Sequence, residues 1–301
     1  AFNIGNIGGA SMGLNIVFGI DTTTAAAISG ILGILLFVSP KMGGVLDNTA
    51  KLLGTVMLVL IGYVAFSTNP PVAEAATHAL VPTNYPWLAT ITLIGGTVGG
   101  YITFSGGHRL IDAGITGREH LKDVRRAAFM GMSVDAIVRI LLFLAVLGVV
   151  SMGFVLDPKD PAGSAFLLGA GEIGHKLFGI VFFCAALTSV VGAAYTSVSF
   201  LKTLFKVVER YEKLTIMAFI FVSTCILIFI GKPATLLIVA GSVNGLILPV
   251  TLAVMLLATR KTNIVGDYKH NPVLFYTGWI VVLVTAYIGV TSLQGIVKLL
   301  G

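Results

Sequence analysis

Residues 93–112, with the sequence LIGGTVGGYITFSGGHRLID, lie within a long apolar stretch and contain three adjacent glycine pairs. Each glycine in the interior of a helix costs about 1 kcal/mol relative to alanine. Backbone groups freed inside a bilayer find no water, so an interrupted helix survives there only where protein or a polar cavity covers it. Interrupted spans of this kind form substrate sites in transporters. The segment therefore predicts a broken helix, with close helix packing as the alternative use of its glycines.

The composition places the chain in a membrane. Hydrophobic residues make up 56% of the 301 residues, charged residues only 11%, and the mean hydropathy is +0.98. A soluble domain has about 25% charged residues. We therefore expect an all-α polytopic membrane protein, with one transmembrane domain over residues 1–301. Because the chain begins at Ala1 inside a helix-like segment, we also expect that its natural N-terminus is missing.

Nine apolar segments approach or exceed the roughly 20 residues that a helix needs to cross the hydrocarbon core. The fourth of them contains the glycine pairs, and a proline-rich stretch that we interpret as a loop precedes it. The nine predicted spans cover residues 2–20, 22–38, 49–67, 87–112, 127–154, 166–205, 214–230, 234–257 and 272–290.

Basic residues lie in alternate loops between these spans. Four loops hold 14 of the 19 Lys and Arg residues, whereas the intervening loops hold only Lys159 and Lys232. By the positive-inside rule, the four basic loops are cytoplasmic. This pattern predicts the plasma (inner) membrane of a prokaryote, and it explains the net charge of +6 without a nucleic-acid partner.

Polar residues inside the spans are candidates for function or for internal pairing. Asp135 and Arg139 lie four residues apart on one helix, so we expect an ion pair. Neutral hydroxyl, amide and carbonyl groups suit hard cations such as Mg²⁺, although hydrogen bonds between helices explain them equally well. No catalytic fingerprint occurs, which predicts a protein that is not an enzyme and needs no cofactor. The neutral candidates are Asn3, Asn6, Thr97, Tyr101, Thr103, Ser105, Thr188, Ser189 and Asn244, and His108 follows the last glycine pair.

Four segments resemble the NRAMP-type divalent metal transporters. Residues 1–20, AFNIGNIGGASMGLNIVFGI, resemble the third helix of that family, and residues 96–106 lie where the family has its broken sixth helix. Residues 183–191, FCAALTSVV, resemble its eighth helix, and residues 246–252 resemble its tenth. The resemblance implies family helices three to eleven, in the inverted-repeat fold shared with sodium-coupled amino-acid symporters. It also implies that the metal-binding Asp-Pro-Gly-Asn motif of the first helix precedes this chain.

The chain departs from the family pattern at the residues that select and couple the ion. The family's Met-Pro-His motif is replaced by Gly99, Gly100 and Tyr101. A missing methionine removes a soft sulfur ligand, which favours Mg²⁺ over softer metals and leaves space for a partly hydrated ion. At the positions where the family carries protons, this chain has Asn3, Asn6 and Tyr101. None of these side chains exchanges a proton near neutral pH. This pattern is similar to the NRAMP-related magnesium transporters.

We therefore expect a divalent-cation transporter for Mg²⁺ or Mn²⁺ that works by alternating access without proton coupling. Backbone or water-mediated contacts at Gly99 and Tyr101 would bind the metal, with Gly100, Thr188 and Asn244 around it. The expected pathway residues are Asn3, Asn6, Thr103 and His108. The alternatives are a proton-coupled Mn²⁺/Fe²⁺ symporter, an amino-acid-type symporter on the same fold, and a membrane scaffold. The expected partners are the metal ion and the bilayer, with the oligomeric state open.

Overall fold

The computed structural model describes residues 2–98, 107, 110–111, 113–117 and 119–300. These residues form helices and their connections. The helices are α1 (Phe2–Phe18), α2 (Thr22–Val38), α3 (Pro40–Ser67), α4 (Val72–Leu80), α5 (Trp87–Thr97), α6 (Leu121–Ser151), α7 (Pro161–Lys202), α8 (Lys206–Arg210), α9 (Glu212–Ile230), α10 (Pro233–Ala258), α11 (Thr262–Val265) and α12 (Pro272–Leu300).

Each of the nine predicted spans overlaps one of these helices. Within the described residues, five are long and apolar enough to cross a membrane, namely α6, α7, α9, α10 and a 24-residue stretch of α12. The helices α1 and α2 meet at an angle of 118°, so the chain largely reverses direction between them. If each strongly bent pair of helices is one span, the number rises to seven. The count of nine separate spans stays a prediction.

The helix α4 is the main element that the sequence prediction missed. Its residues lie in the proline-rich stretch that we interpreted as a loop, and α4 bends away from α3 by 101°. Pro70 and Pro71 stand before the helix rather than inside it. A proline there costs little, because the first turn of a helix has no internal partners for its N–H groups.

Two hydrophobic clusters hold the bundle together, and α7 contributes to both. The first joins α7 to α1, α2 and α9 around Ile7, Val190 and Ile220, which are almost fully buried. The second joins α7 to α3 and α6 around Val64 and Phe166. The long helix α7 is therefore the element against which the rest of the bundle packs.

The helices α1 and α7 cross with their backbones in contact. A Cβ atom added at Gly13 of α1 would lie 2.7 Å from the Phe183 nitrogen and 2.8 Å from the Gly179 carbonyl oxygen. A Cβ atom at Gly9 would lie 3.3 Å from the Cβ atom of Ala186, one turn further along α7. Small residues at these positions let two helices approach closely enough for dispersion forces to act between backbones.

The helix α7 is interrupted at one residue, well before its polar pair Thr188 and Ser189. The helix continues through both members of that pair. Their hydroxyl groups donate to the carbonyl oxygen of Ala185 in the preceding turn, at 2.8 and 2.9 Å. The non-helical residue is instead Gly171, with φ +68° and ψ −170°. Glycine tolerates this backbone conformation because it has no Cβ atom.

We predict that Gly13→Ala lowers the thermal stability of the detergent-solubilised protein, whereas Gly62→Ala does not. The new methyl group at position 13 would press on the α7 backbone, and overpacking of this kind costs about 1–3 kcal/mol. A Cβ atom added at Gly62 of α3 would meet nothing within 4 Å, so alanine there gains only helix propensity. Equal melting temperatures for the two variants would contradict the close crossing.

Candidate functional site

The structure describes four of the predicted site residues: Asn3 and Asn6 on α1, Thr188 on α7 and Asn244 on α10. The other predicted site residues, Gly99, Gly100, Tyr101, Thr103 and His108, lie outside the described residues. The predicted break in the helix falls at the same place, directly after α5. Of these four residues, Asn244 is the one that contacts the end of α5.

Asn244 of α10 forms a hydrogen bond with the end of α5. Its Nδ2 donates a hydrogen bond of 2.8 Å to the carbonyl oxygen of Gly95, in the last turn of α5. The last carbonyl groups of a helix lack partners within it, so a side chain from a neighbouring helix can satisfy one of them. Asn244 is 3% exposed, and its Oδ1 is buried without a hydrogen-bond partner. One buried amide oxygen is thus left free beside the carboxyl end of a short helix.

Glycines bring α5 and α10 together at this point. A Cβ atom at Gly95 would overlap the Gly241 carbonyl oxygen and the Gly245 nitrogen. A Cβ atom at Gly241 would lie 2.9 Å from the Thr92 carbonyl oxygen. Gly95 therefore serves close packing, the alternative use of the glycine pairs, whereas its neighbour Gly96 faces open space.

Thr92 and Ser242, which the sequence reasoning missed, form a second polar link between α5 and α10. Their hydroxyl oxygens are 2.7 Å apart. Each hydroxyl also lies within hydrogen-bond distance of a carbonyl oxygen in its own helix, Leu88 for Thr92 and Ile238 for Ser242. Each hydroxyl has one proton, so one donates across the interface while the other donates within its helix. Two single hydroxyl residues 150 positions apart give no sequence signal for such a pair.

Asn3 is the least satisfied polar side chain in the described part of the chain. It is 2% exposed, and both its Oδ1 and its Nδ2 are buried without a hydrogen-bond partner. The contacts of Gly8 with Pro233 and of Gly5 with Leu237 show that α1 runs antiparallel to α10. At about 100° per residue, Asn3 lies on the side of α1 that faces away from these two glycines. The two unpartnered amides, Asn3 and Asn244, therefore do not share one contact between α1 and α10.

Asn6 and Thr188 lie at the neighbouring α1–α7 crossing. The Asn6 Nδ2 donates to the Ser189 carbonyl oxygen at 3.2 Å. The Thr188 hydroxyl donates to carbonyl oxygens of its own helix, at 2.8 Å for Ala185. Its oxygen lone pairs therefore remain available to a ligand that donates a proton or carries positive charge.

Three loops surround a polar cavity of about 720 Å³ near the opposite end of α1. The loops join α1 to α2, α6 to α7, and α9 to α10. The charge pattern of the sequence places all three loops on the side of the membrane opposite the basic loops. The three loops meet at one cavity, which agrees with this assignment. The charged residues of the cavity wall are Asp21, Asp157, Asp160, Lys159 and Lys232.

Two carboxylates of this cavity, Asp21 and Asp160, also cap the first turns of α2 and α7. The Thr24 hydroxyl and the N–H groups that begin α2 donate hydrogen bonds to Asp21, and these bonds lower its pKa. Asp160 accepts a 2.9 Å bond from the N–H of Gly163, and its Oδ2 lies 3.9 Å from Nε2 of His175. Burial raises the pKa of Asp160, and the Gly163 bond partly opposes this shift.

The described residues contain no group of three or more His, Cys, Asp or Glu side chains that could hold a metal ion. What the described residues offer at the end of α5 is neutral oxygen, from the Asn244 amide and the carbonyl groups of its last turn. Neutral oxygen donors bind hard, partly hydrated cations more readily than soft ones.

The helices form the fold of an integral membrane transporter with inverted repeats. The structure superposes on two crystal structures of a manganese transporter from Eremococcus coleocola, one in complex with an aromatic bis-isothiourea substituted compound and one of a mutant. For each, the TM-score is 0.66 at 15% identity, covering 98% of this chain and 68% of that chain. The predicted all-α, inverted-repeat fold is confirmed.

The protein belongs to the natural resistance-associated macrophage protein-like (Nramp) family, whose sequence profile matches residues 1–294. An uncharacterized membrane protein of Haemophilus influenzae is 51% identical over 286 residues, which is 95% of this chain and 72% of that protein. The uncharacterized membrane protein YcsG of Bacillus subtilis is 50% identical over 293 residues, which is 97% of this chain and 72% of that protein. The resemblance of the chain to this family is confirmed.

We predict that Asn244→Ala destabilises the protein more than Asn3→Ala does. Both substitutions remove the same atoms from a buried position, but only Asn244 has a hydrogen bond to lose. The Gly95 carbonyl left without its donor should cost about 1–3 kcal/mol. Denaturant unfolding of the two variants measures the difference, and equal losses would show that the Asn244 contact adds nothing to stability.

Proposed function

We propose that this protein carries divalent metal cations across the membrane by alternating access, with Mg²⁺ or Mn²⁺ as its ion and without proton coupling. The observation that carries the proposal is the free Oδ1 of Asn244, buried beside the carboxyl end of α5. The carboxyl end of a helix carries partial negative charge and attracts cations. Half-helices that end near the middle of the membrane hold cations in this way in other transporters.

Membership of the Nramp family and the superposition on a manganese transporter both support a divalent metal as the substrate. In our proposal the ion binds backbone oxygens at Gly99 and Tyr101, directly or through water, with Gly100 between them. Gly99 has no side chain and so leaves space for the waters. Thr188 and Asn244 supply the surrounding oxygen atoms.

The entry path begins at the 720 Å³ cavity, on the side that we assign to the cell exterior. Met12 and Asn15 of α1 line this cavity, and α1 leads from there to Asn6 and Asn3. The distance from Met12 to Asn3 along the helix axis is about 14 Å, at 1.5 Å per residue. Thr103 and His108 are the further pathway residues of this proposal. The basic loops then face the cytoplasm of a prokaryote, and residues 1–301 form one transmembrane transporter domain.

The absence of proton coupling rests on Asn3, Asn6 and Tyr101. An asparagine amide does not titrate, and a tyrosine has a pKa of about 10. The amides at Asn3 and Asn6 therefore give this part of α1 no group that exchanges a proton at neutral pH. A divalent cation gains about 4.6 kcal/mol per 100 mV of membrane potential, twice the value for one charge. The potential alone can thus drive uptake.

We predict saturable Mg²⁺ uptake, without internal acidification, into liposomes that contain the protein and have a negative internal potential. Uptake of Mn²⁺ is measured in the same way, with a pH dye inside the liposomes. The two measurements distinguish an uncoupled metal transporter from a proton-coupled one. Mn²⁺ entry with acidification and no Mg²⁺ entry would identify a proton-coupled symporter. Uptake of an amino acid instead of any metal would identify a solute symporter on the same fold.

We predict that Gly99→Met admits softer metals, because a thioether sulfur binds Cd²⁺ and Mn²⁺ better than it binds Mg²⁺. The variant should accumulate Cd²⁺ faster than the parent while its Mg²⁺ uptake falls. Gly96→Met is the matched control, since Gly96 faces open space but lies within α5. If Gly99→Met and Gly96→Met change Cd²⁺ uptake equally, the selectivity argument is wrong.

A further inference from the structure

An ion pair lies in the middle of the apolar part of α6. Arg139 donates from Nε to Asp135 Oδ2 at 2.8 Å, which confirms the pairing expected from their spacing. They are the only charged residues between Ala127 and Phe154. The pair is not enclosed by the described residues, because the side chains of Arg139 and Asp135 are 40% and 47% exposed.

The depth of the pair excludes a position at the membrane surface. Counted from Ala127, where the apolar sequence begins, Asp135 lies about 12 Å and Arg139 about 18 Å along the helix axis, at 1.5 Å per residue. The hydrocarbon core is about 30 Å thick, so the pair lies near its middle. Charged groups at this depth face the bundle interior or a water-filled cavity rather than lipid.

The side of α6 that carries the pair adjoins the side that packs against α3 and α7. Leu142 follows Asp135 by seven residues, which is about 20° around the helix, and it packs against the cluster that joins α3, α6 and α7. On the inner side of the pair, the same flank carries the small residues Ala128 and Gly131, with Met132 beside them at 64% exposure. A Cβ atom at Gly131 would meet nothing within 4 Å.

We propose that the Asp135–Arg139 pair lines a water-filled cavity that opens toward the basic loops and forms part of the exit path of the hydrated divalent cation. The small residues Ala128 and Gly131 leave room for water between the pair and the inner end of α6. The carboxylate and the guanidinium cancel each other, so water is retained at this depth without a net charge that would trap or repel the ion. The role in transport rests on the proposed function, but the exposure to water does not.

Cysteine labelling tests the water-filled cavity without any transport measurement. The two native cysteines, Cys184 and Cys225, are first replaced by alanine. Asp135→Cys is then made together with Arg139→Gln, so that no unpaired charge remains. Ile137→Cys is the control, because Ile137 lies at the same depth on the opposite side of α6 and is 56% exposed.

Inside-out membrane vesicles are treated with a membrane-impermeant, cationic methanethiosulfonate reagent. The thiol at position 135 should react at least about tenfold faster than the thiol at position 137, since the reactive thiolate forms only in water. Equally slow labelling at both positions would overturn the proposal and assign the pair to lipid or to a second protein surface.

The transport role is tested by removing one charge and then both. Asp135→Asn leaves Arg139 uncompensated, and its repulsion should lower the maximal rate of Mn²⁺ and Mg²⁺ uptake about tenfold. Adding Arg139→Gln should restore the rate to within about twofold of the parent, because the path is neutral again. Equal loss in the single and double variants would overturn the electrostatic role. If the parent takes up no divalent cation, the proposed function is wrong. The difference in labelling rate between positions 135 and 137 still tests the water-filled cavity in that case.

Discussion

The hydrogen bond from Asn244 to the Gly95 carbonyl oxygen is the contact on which the arrangement of the site depends. In a bilayer a helix cannot end unless another group satisfies its last carbonyl groups, because no water is available to do so. The glycines at positions 95, 241 and 245 bring α10 close enough for its side chain to reach α5. A helix of 11 residues can therefore stop inside the apolar part of the protein, and its negative end marks the place where a cation is bound in our proposal.

The same need for partners explains the polar residues along α1. Asn6 finds one in the Ser189 carbonyl group, whereas Asn3 finds none and remains fully buried. An amide buried without partners destabilises a protein by about 1–3 kcal/mol. In a protein that alternates between two conformations, a group can be unsatisfied in one state and bound to water, ion or protein in the other.

Electrostatics divides the molecule into two ends and a neutral centre. The cavity near the end of α1 has three carboxylates and two lysines in its wall, and the basic loops lie at the other end of the spans. Between them, neutral amide and hydroxyl groups predominate, and the charges on α6 form a pair. In our proposal, a divalent ion therefore meets neutral oxygen donors in the described centre of the protein, without a net charge that would hold it permanently.

The sequence by itself determined the membrane class, the family, the positions of most helices and the alternation of the loops. These features depend on local composition and on runs of about 20 residues, which a single sequence displays directly. It did not reveal α4, the kink at Gly171, or the Thr92–Ser242 pair. Only the tertiary structure decided these, because each depends on contacts between residues far apart in sequence or on one backbone conformation. The same holds for Asn244, which the sequence marked as polar, but whose bond to Gly95 exists only because three glycines bring the two helices into contact.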